Sequence, residues 1–493
     1  MNQRQLTSAL LPTAAEPWSA VHETHIGAVF LVGDYAYKLK KPVDFGFLDF
    51  TRREVREQVC HKEVALNRRL APDAYLGVAD VTGPDGEICD HLVVMRRMPE
   101  ERRLSTLVRQ GEPLDDVIRN LARVMARFHQ RAERGPAISA QATRDAVRER
   151  WRASFAQVRP FHGTVLDADV AAEIEQHAEE FLAGREALFT HRINTGRIVD
   201  GHGDLLADDI FCLDHGPQIL DCLEFDDTLR AVDGLDDVAF LAMDLERLGA
   251  PELGELLLDR YMEFSGDPAP AGLRHHYLAY RAFVRVKVAC LRYEQGETSA
   301  AALARDYARI AVRHLRLGEV KLILVGGLPA SGKSTLAGAI ADRIGATVLR
   351  SDRIRKELAG MPAEQSAAAG YEQGLYDPAH TERTYAEIQH RAGNLLELGE
   401  TVVLDASWRS ADRRAAAGEV GVRTHSRLIP LRCWAPEATT AARLAARTGS
   451  ISDATPVIAL RMATDVHPWP DAHTVFTAGT EHDSLTQALA YLQ

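Results

Sequence analysis

At 493 residues the chain is too long for one ordinary core, so two or more domains are expected. No apolar run approaches membrane-span length, and the six cysteines form no C-x-x-C pair and no zinc spacing, which suits a reducing cytoplasm. The net charge of −12, nearly all of it before residue 320, disfavours an extended nucleic-acid partner and suits a neutral or cationic small substrate.

The first readable element is Ala28 to Pro42, a hairpin turning at Gly33-Asp34. Alternation in its second strand puts Ala36, Lys38 and Lys40 on one face. Asp44-Phe45-Gly46 spells a kinase metal motif, but it follows the lysine strand directly and is rejected as the metal site. Val59 to Leu70 has the pattern of an amphipathic helix and carries Glu63, the natural ion-pair partner of Lys38.

Next comes Asp200-Gly-His202-Gly-Asp204-Leu-Leu-Ala-Asp208-Asp209, and then Gln218-Ile-Leu-Asp221-Cys-Leu-Glu224. An Asp in a turn, a polar residue five positions on and a strand bearing another Asp form the layout of a kinase catalytic loop. Asp204 would accept a hydroxyl proton, and Asp209 and Asp221 would hold Mg²⁺. Two Asp-rich turns with no such role are the plainer alternative.

Ala301 to Leu315 reads as a helix, and the chain divides at Leu315 to Glu319. Two domains are therefore expected, at 1–316 and 320–493. Val320 to Val325 reads as a buried strand and Leu336 to Ile344 as a helix. Between them Gly327-Leu-Pro-Ala330-Ser331-Gly332-Lys333-Ser334-Thr335 matches G-x-x-x-x-G-K-[ST]. Its backbone N–H groups would cradle the phosphates of ATP, Lys333 would reach the β/γ-phosphates and Ser334 would ligate Mg²⁺.

Ala346 to Arg350 is a strand ending at Ser351-Asp352, where Asp352 either accepts a proton or caps the next helix. Ala367 to Ala369 is a short alanine run with helical character. Thr401 to Leu404 is a strand ending at Asp405, a Walker-B-like metal position or an ordinary turn residue. Arg443 and Arg447 share a helix face before a polar Gly449–Thr455 segment, as in a mobile phosphate-clamping lid or a solvated face.

Residues 320–493 resemble the zeta-toxin, gluconate-kinase and polynucleotide-kinase-like P-loop kinases. The resemblance is carried by Gly327–Thr335, Ser351-Asp352-Arg353, Leu404-Asp405-Ala-Ser407, Arg443/Arg447 and Ser452-Asp453-Ala-Thr. The first part resembles aminoglycoside phosphotransferases and choline kinases, through Tyr37-Lys38-Leu, Leu66-Asn-Arg-Arg-Leu, His202-Gly-Asp204-Leu and Ala239-Phe-Leu-Ala-Met. The whole is similar to the bacterial bifunctional aminoglycoside phosphotransferase/ATP-binding proteins.

That resemblance implies an α+β protein-kinase-like fold followed by an α/β P-loop fold with a parallel sheet. It also implies ATP and Mg²⁺ as cofactors, with phosphorylation of a small-molecule hydroxyl. Lys38 becomes the phosphate lysine, Glu63 its helix partner, Asp204 the base and Asp221 the metal ligand. The sequence departs from the pattern twice. Asp209 stands where the superfamily usually carries Asn, and His25-Ile-Gly27 stands in place of a glycine-rich loop. Two further readings stay open: a ligand-sensing first domain that regulates the second, and a nucleotide-sugar or polynucleotide-end kinase.

Overall fold

The computed structural model describes residues 19–23, 27–44, 49–362, 365, 372–446 and 456–492. His25, Ile26, Ala367 to Ala369, Arg447 and Ser452 to Thr455 lie outside them. Contacts divide the chain into two compact units. One holds residues up to Ala142 together with Gly196–Asp267. The other holds Thr143–Thr195 and Pro268 onward. Helices that precede the Leu315–Glu319 break in sequence thus pack in the same unit as the P-loop sheet.

The first unit opens with a five-stranded antiparallel sheet. Gly27–Val32 and Tyr35–Lys40 form the expected hairpin. Its two-residue turn needs Gly33, whose φ of 57° carries no penalty without a Cβ. The helix Arg53–Asn67 packs on this sheet, with Cys60 and Val64 in a core shared with Tyr75, Val93 and Met95. Two short antiparallel ladders follow. Ile198–Asp200 pairs with Ala231–Asp233, and Ile210–Leu213 with Gly216–Ile219. They hold the loops bearing Asp204 and Asp221. The helix Gly234–Arg247 runs beneath them and is buried along most of its length.

In the second unit a parallel sheet has the order Thr347–Arg350, Val402–Asp405, Lys321–Gly326, Arg427–Trp434, His473–Phe476. Lys321–Gly326 is buried at every position, as expected of a central strand covered on both faces. Helix Lys333–Ile344 covers one face through Leu336, Ala337 and Ile340. A helical layer joins the same unit: Arg144–Val158, Ala168–Ala183, Ala271–Glu294 and Ala300–Leu317. It is pinned around fully buried Trp151, which stacks near Phe155 and Phe283. Arg185 joins layer and sheet by donating to the carbonyls of Thr424 (2.6 Å) and His425 (3.4 Å). Gly184 permits that approach, since a Cβ there would lie 2.2 Å from the Thr424 oxygen.

Candidate active sites

In the first unit, strand alternation brings Lys38 and Lys40 to one buried carboxylate. Lys38 Nζ lies 2.9 Å from one oxygen of Glu63, and Lys40 Nζ lies 2.6 Å from the other. Lys38 also reaches Asp221 at 2.5 Å, while Lys40 pairs with Glu224. Burial alone would lower the Lys38 pKa, but Asp221, Glu63 and Glu224 outweigh it and hold the ammonium above the ordinary lysine value. Lys38 in turn holds the Asp221 carboxyl below its ordinary value. Asp221 has a left-handed φ of 62°. Its amide donates to the Tyr75 hydroxyl at 3.2 Å. Asn67 ties the Glu63 helix to this loop: its amide group donates to the Glu63 carbonyl and accepts from the Cys222 N–H at 2.8 Å.

The loop bearing Asp204 is built from below. The N–H groups of His202 and Gly203 donate to the two oxygens of Asp237, at 2.7 and 2.9 Å. Asp237 also accepts from His129 Nε2 at 2.9 Å, and Tyr261 holds the other ring nitrogen. Burial would raise the Asp237 carboxyl, but His129, His202 and these bonds keep it well below its ordinary value. The His202 ring donates from Nε2 to the Leu220 carbonyl at 3.0 Å, which joins the Asp204 and Asp221 loops. Burial, with Asp221 and Asp204 nearby, pushes the Asp209 carboxyl well above its ordinary value. The three carboxylates named from the sequence therefore feel one another.

In the second unit, Gly327 has φ 151°, Ala330 φ 61° and Gly332 φ 89°. A Cβ on Gly327 would meet Ser331 Oγ at 2.4 Å, and one on Gly332 would meet Thr477 Cβ at 3.1 Å. The turn delivers Lys333 and Ser334 onto the first residues of a helix. Ser334 hydrogen-bonds Asp405 at the end of the adjacent strand. Asp405 is buried, with one carboxylate oxygen lacking a hydrogen bond, and Arg350 lies 3.9 Å away. Burial raises its pKa against the pull of Lys333 and Ser334. Asp352 sits in the first turn of Ser351–Leu358, where Arg350 occupies the cap position and no side chain caps it. Asp352 is near enough to Asp405 to add to its shift.

Arg443 donates to the carbonyls of Ala330 (3.4 Å) and Thr477 (2.7 Å). With Lys333, Ser334, Thr335 and Thr477 it lines a pocket of about 280 Å³. Its partner on the sequence-predicted face, Arg447, lies outside the described residues. Thr477 itself was not visible from sequence: its hydroxyl donates to the Ser331 carbonyl at 2.5 Å and braces the cradle. Alternation had placed Lys40 beside Lys38, but its pairing with Glu224 and the roles of Asp237 and Arg350 were not visible, since no local motif marks them.

Among the described residues, no group of three or more His, Cys, Asp or Glu forms a self-sufficient metal site. Mg²⁺ does not require one, because it keeps waters and takes phosphate oxygens beside one or two carboxylates. The unbonded Asp405 oxygen beside Ser334, and a glycine cradle that a Cβ would fill, both fit Mg²⁺ and a nucleotide phosphate.

This geometry defines a kinase-like unit and a P-loop unit in one chain. A family model described as an AAA domain matches residues 322–464. Over 477 residues the chain is 44% identical to Rv2004c of Mycobacterium tuberculosis H37Rv and equally to Mb2027c of Mycobacterium bovis, covering 97% of this chain and 96% of each relative. The chain belongs to the family of these mycobacterial proteins. Among solved structures, a choline/ethanolamine kinase family protein from Mesorhizobium loti is 15% identical with a TM-score of 0.38, covering 64% of this chain and 97% of that one. A gluconokinase from Sinorhizobium meliloti is 21% identical with a TM-score of 0.26, covering 35% and 91%. Among the described residues no helix is long and apolar enough to cross a membrane.

Proposed function

We propose that the chain is a cytoplasmic ATP-dependent phosphotransferase that moves a γ-phosphate to a hydroxyl of a small sugar or aminoglycoside-like molecule. The observation that carries this reading is the convergence of Lys333, Ser334 and Asp405 on one glycine cradle, with Asp352 beside them. The P-loop N–H groups and Lys333 bind and orient the phosphates. Ser334 and Asp405 would hold the metal ion, which when bound offsets charge on the β- and γ-oxygens. Asp352 takes the proton of the acceptor hydroxyl, and Arg443 closes the pocket over the nucleotide. The free state of all six cysteines supports a reducing compartment.

The first unit supports a second ATP-type site in the same terms. Lys38, oriented by Glu63, would meet the phosphates, Asp209 and Asp221 would hold the metal, and Asp204 would take the hydroxyl proton. We take residues 1–316 and 320–493 as the two functional halves. A screen of sugars and aminoglycosides with radiolabelled γ-phosphate, on wild type and on Lys333→Ala, tests the proposal. Absence of a phosphorylated product from every hydroxyl compound, with ATP still hydrolysed, would favour a ligand-sensing first half over a second kinase.

A further inference from the structure

A cavity of about 700 Å³ lies in the second unit, away from the P-loop, where the helical layer meets the start of the parallel sheet. Phe181, Arg185 and His276 line it from the helical side, and Val422, His425 and Leu428 from the sheet side. Its volume is that of a small-molecule site. Glycines bring the walls close: a Cβ on Gly272 would lie 3.0 Å from the Gly399 oxygen and 3.4 Å from the Phe181 ring.

Two buried donors in its lining lack acceptors. The Trp151 indole N–H donates to His276 Nε2 at 3.2 Å. In the neutral ring the proton therefore sits on Nδ1, which is buried and has no hydrogen-bond partner. His276 is 1% exposed and stacks on Phe181 at 4.4 Å. Arg185, also 1% exposed, spends its terminal nitrogens on the oxygens of Gly184, Thr424, His425 and Ser426. Its Nε–H is buried and unbonded. All of these partners are neutral, so the guanidinium charge has no carboxylate in contact. Burial lowers its pKa to about 10 against the pull of the Glu397 carboxylate, which makes no contact with it, and this leaves it charged at neutral pH.

Carboxylates at the rim are already engaged. Glu319 pairs with Lys321 and Arg427, each at 3.2 Å, and Glu180 accepts from Gln176 at 3.0 Å. Val422 is 79% exposed and Leu428 37% exposed, so the mouth carries apolar side chains beside these polar ones. A buried cation with no carboxylate in contact, an orphan donor on a stacked ring and exposed apolar side chains at the mouth specify one chemistry.

We propose that this cavity binds an apolar monoanion, a carboxylate or sulfonate on an aromatic ring or short alkyl chain, with its charged group at Arg185 and His276. The site is separate from both nucleotide sites and does not depend on the kinase reading. The test is fluorescence titration of the full chain with 8-anilinonaphthalene-1-sulfonate, alongside its uncharged analogue N-phenyl-1-naphthylamine. The expected result is one saturable site per chain, displaced by octanoate and at least tenfold tighter for the sulfonate than for the neutral probe.

Val422→Glu places a negative charge at an exposed rim position where folding is not at stake, and should weaken the sulfonate at least fivefold. Lys333→Ala and added ATP should leave the titration unchanged. Non-saturable binding, equal affinity for the two probes, indifference to Val422→Glu, or displacement by ATP would each overturn the assignment.

Discussion

Lys40 Nζ lies 2.6 Å from a Glu63 oxygen, although the lysine is only 1% exposed and the glutamate is fully buried. Two lysines on one strand face therefore divide a single carboxylate, and they do different work. Lys38 is half-buried and faces Asp221, as a phosphate-binding lysine would. Lys40 is sealed between Glu63 and Glu224.

This division predicts unequal consequences. Lys40→Met should leave two buried carboxylates short of a cation and destabilise the first unit by about 3–5 kcal/mol. Lys38→Met leaves Glu63 its Lys40 partner, so its stability loss should be smaller while nucleotide binding at that unit is lost. Urea denaturation of both variants, followed by calorimetry with ATP, checks this. Equal losses of stability would mean that the two lysines are interchangeable.

Lys333→Ala should remove most ATP turnover of the P-loop site, because that ammonium would stabilise charge on the phosphates, an effect typically worth several kcal/mol. Asp352→Asn should retain ATP binding and slow transfer by roughly 10²–10⁴-fold, the usual loss when a general base is removed. Separate measurements of ATP affinity and turnover distinguish them. If Asp352→Asn loses affinity rather than rate, the residue holds metal or structure.

Much of this was legible in the sequence, for a physical reason. The phosphate cradle is local: its glycines, Lys333 and Ser334 are adjacent, and their backbone angles follow from residue type. Lys38 and Glu63 were readable from a period of two and a period near 3.6. What stayed hidden depends on distant partners. Lys40 has its second acid 184 residues on. The Thr477 hydroxyl braces a carbonyl 146 residues away. Asp237 acts on backbone N–H groups, which carry no sequence signature. The packing of the helical layer on the sheet turns on Gly184 and Arg185, two residues in no motif.

That packing also decides how the first site should be tested. Helices of residues 143–195 and 268–317 belong to the P-loop unit, so a fragment cut at 316 would expose their shared face. The experiment is calorimetry of the whole chain carrying Lys333→Ala, with ATP and with or without Mg²⁺. Asp204 and Asp221 repel the Asp209 carboxylate, so nucleotide affinity should fall sharply without the divalent cation. Asp209→Asn removes one of those charges and should reduce the Mg²⁺ requirement. An absence of nucleotide binding under both conditions would leave the P-loop as the one ATP site.

The helical layer gives the protein an acid limit. Burial pushes the His276 pKa down to about 3, and burial with nearby His314, arginines and Lys321 does the same for His275. An unfolded histidine titrates at about 6.5. Between about 6.5 and 3 the unfolded chain therefore binds more protons than the folded one, so stability rises with pH across that window. The contribution is fully present above 6.5 and is lost as pH falls towards 3. For His276 alone the loss between pH 6.5 and 4.5 is on the order of 2–3 kcal/mol. His276→Phe keeps a ring against Phe181 and removes the titration, at the cost of the Trp151 hydrogen bond. It should lower stability at pH 7.5 yet flatten the fall between pH 6.5 and 4.5. Urea midpoints for both proteins across that range decide it. Parallel curves would show that protonation of His276 does not limit the fold.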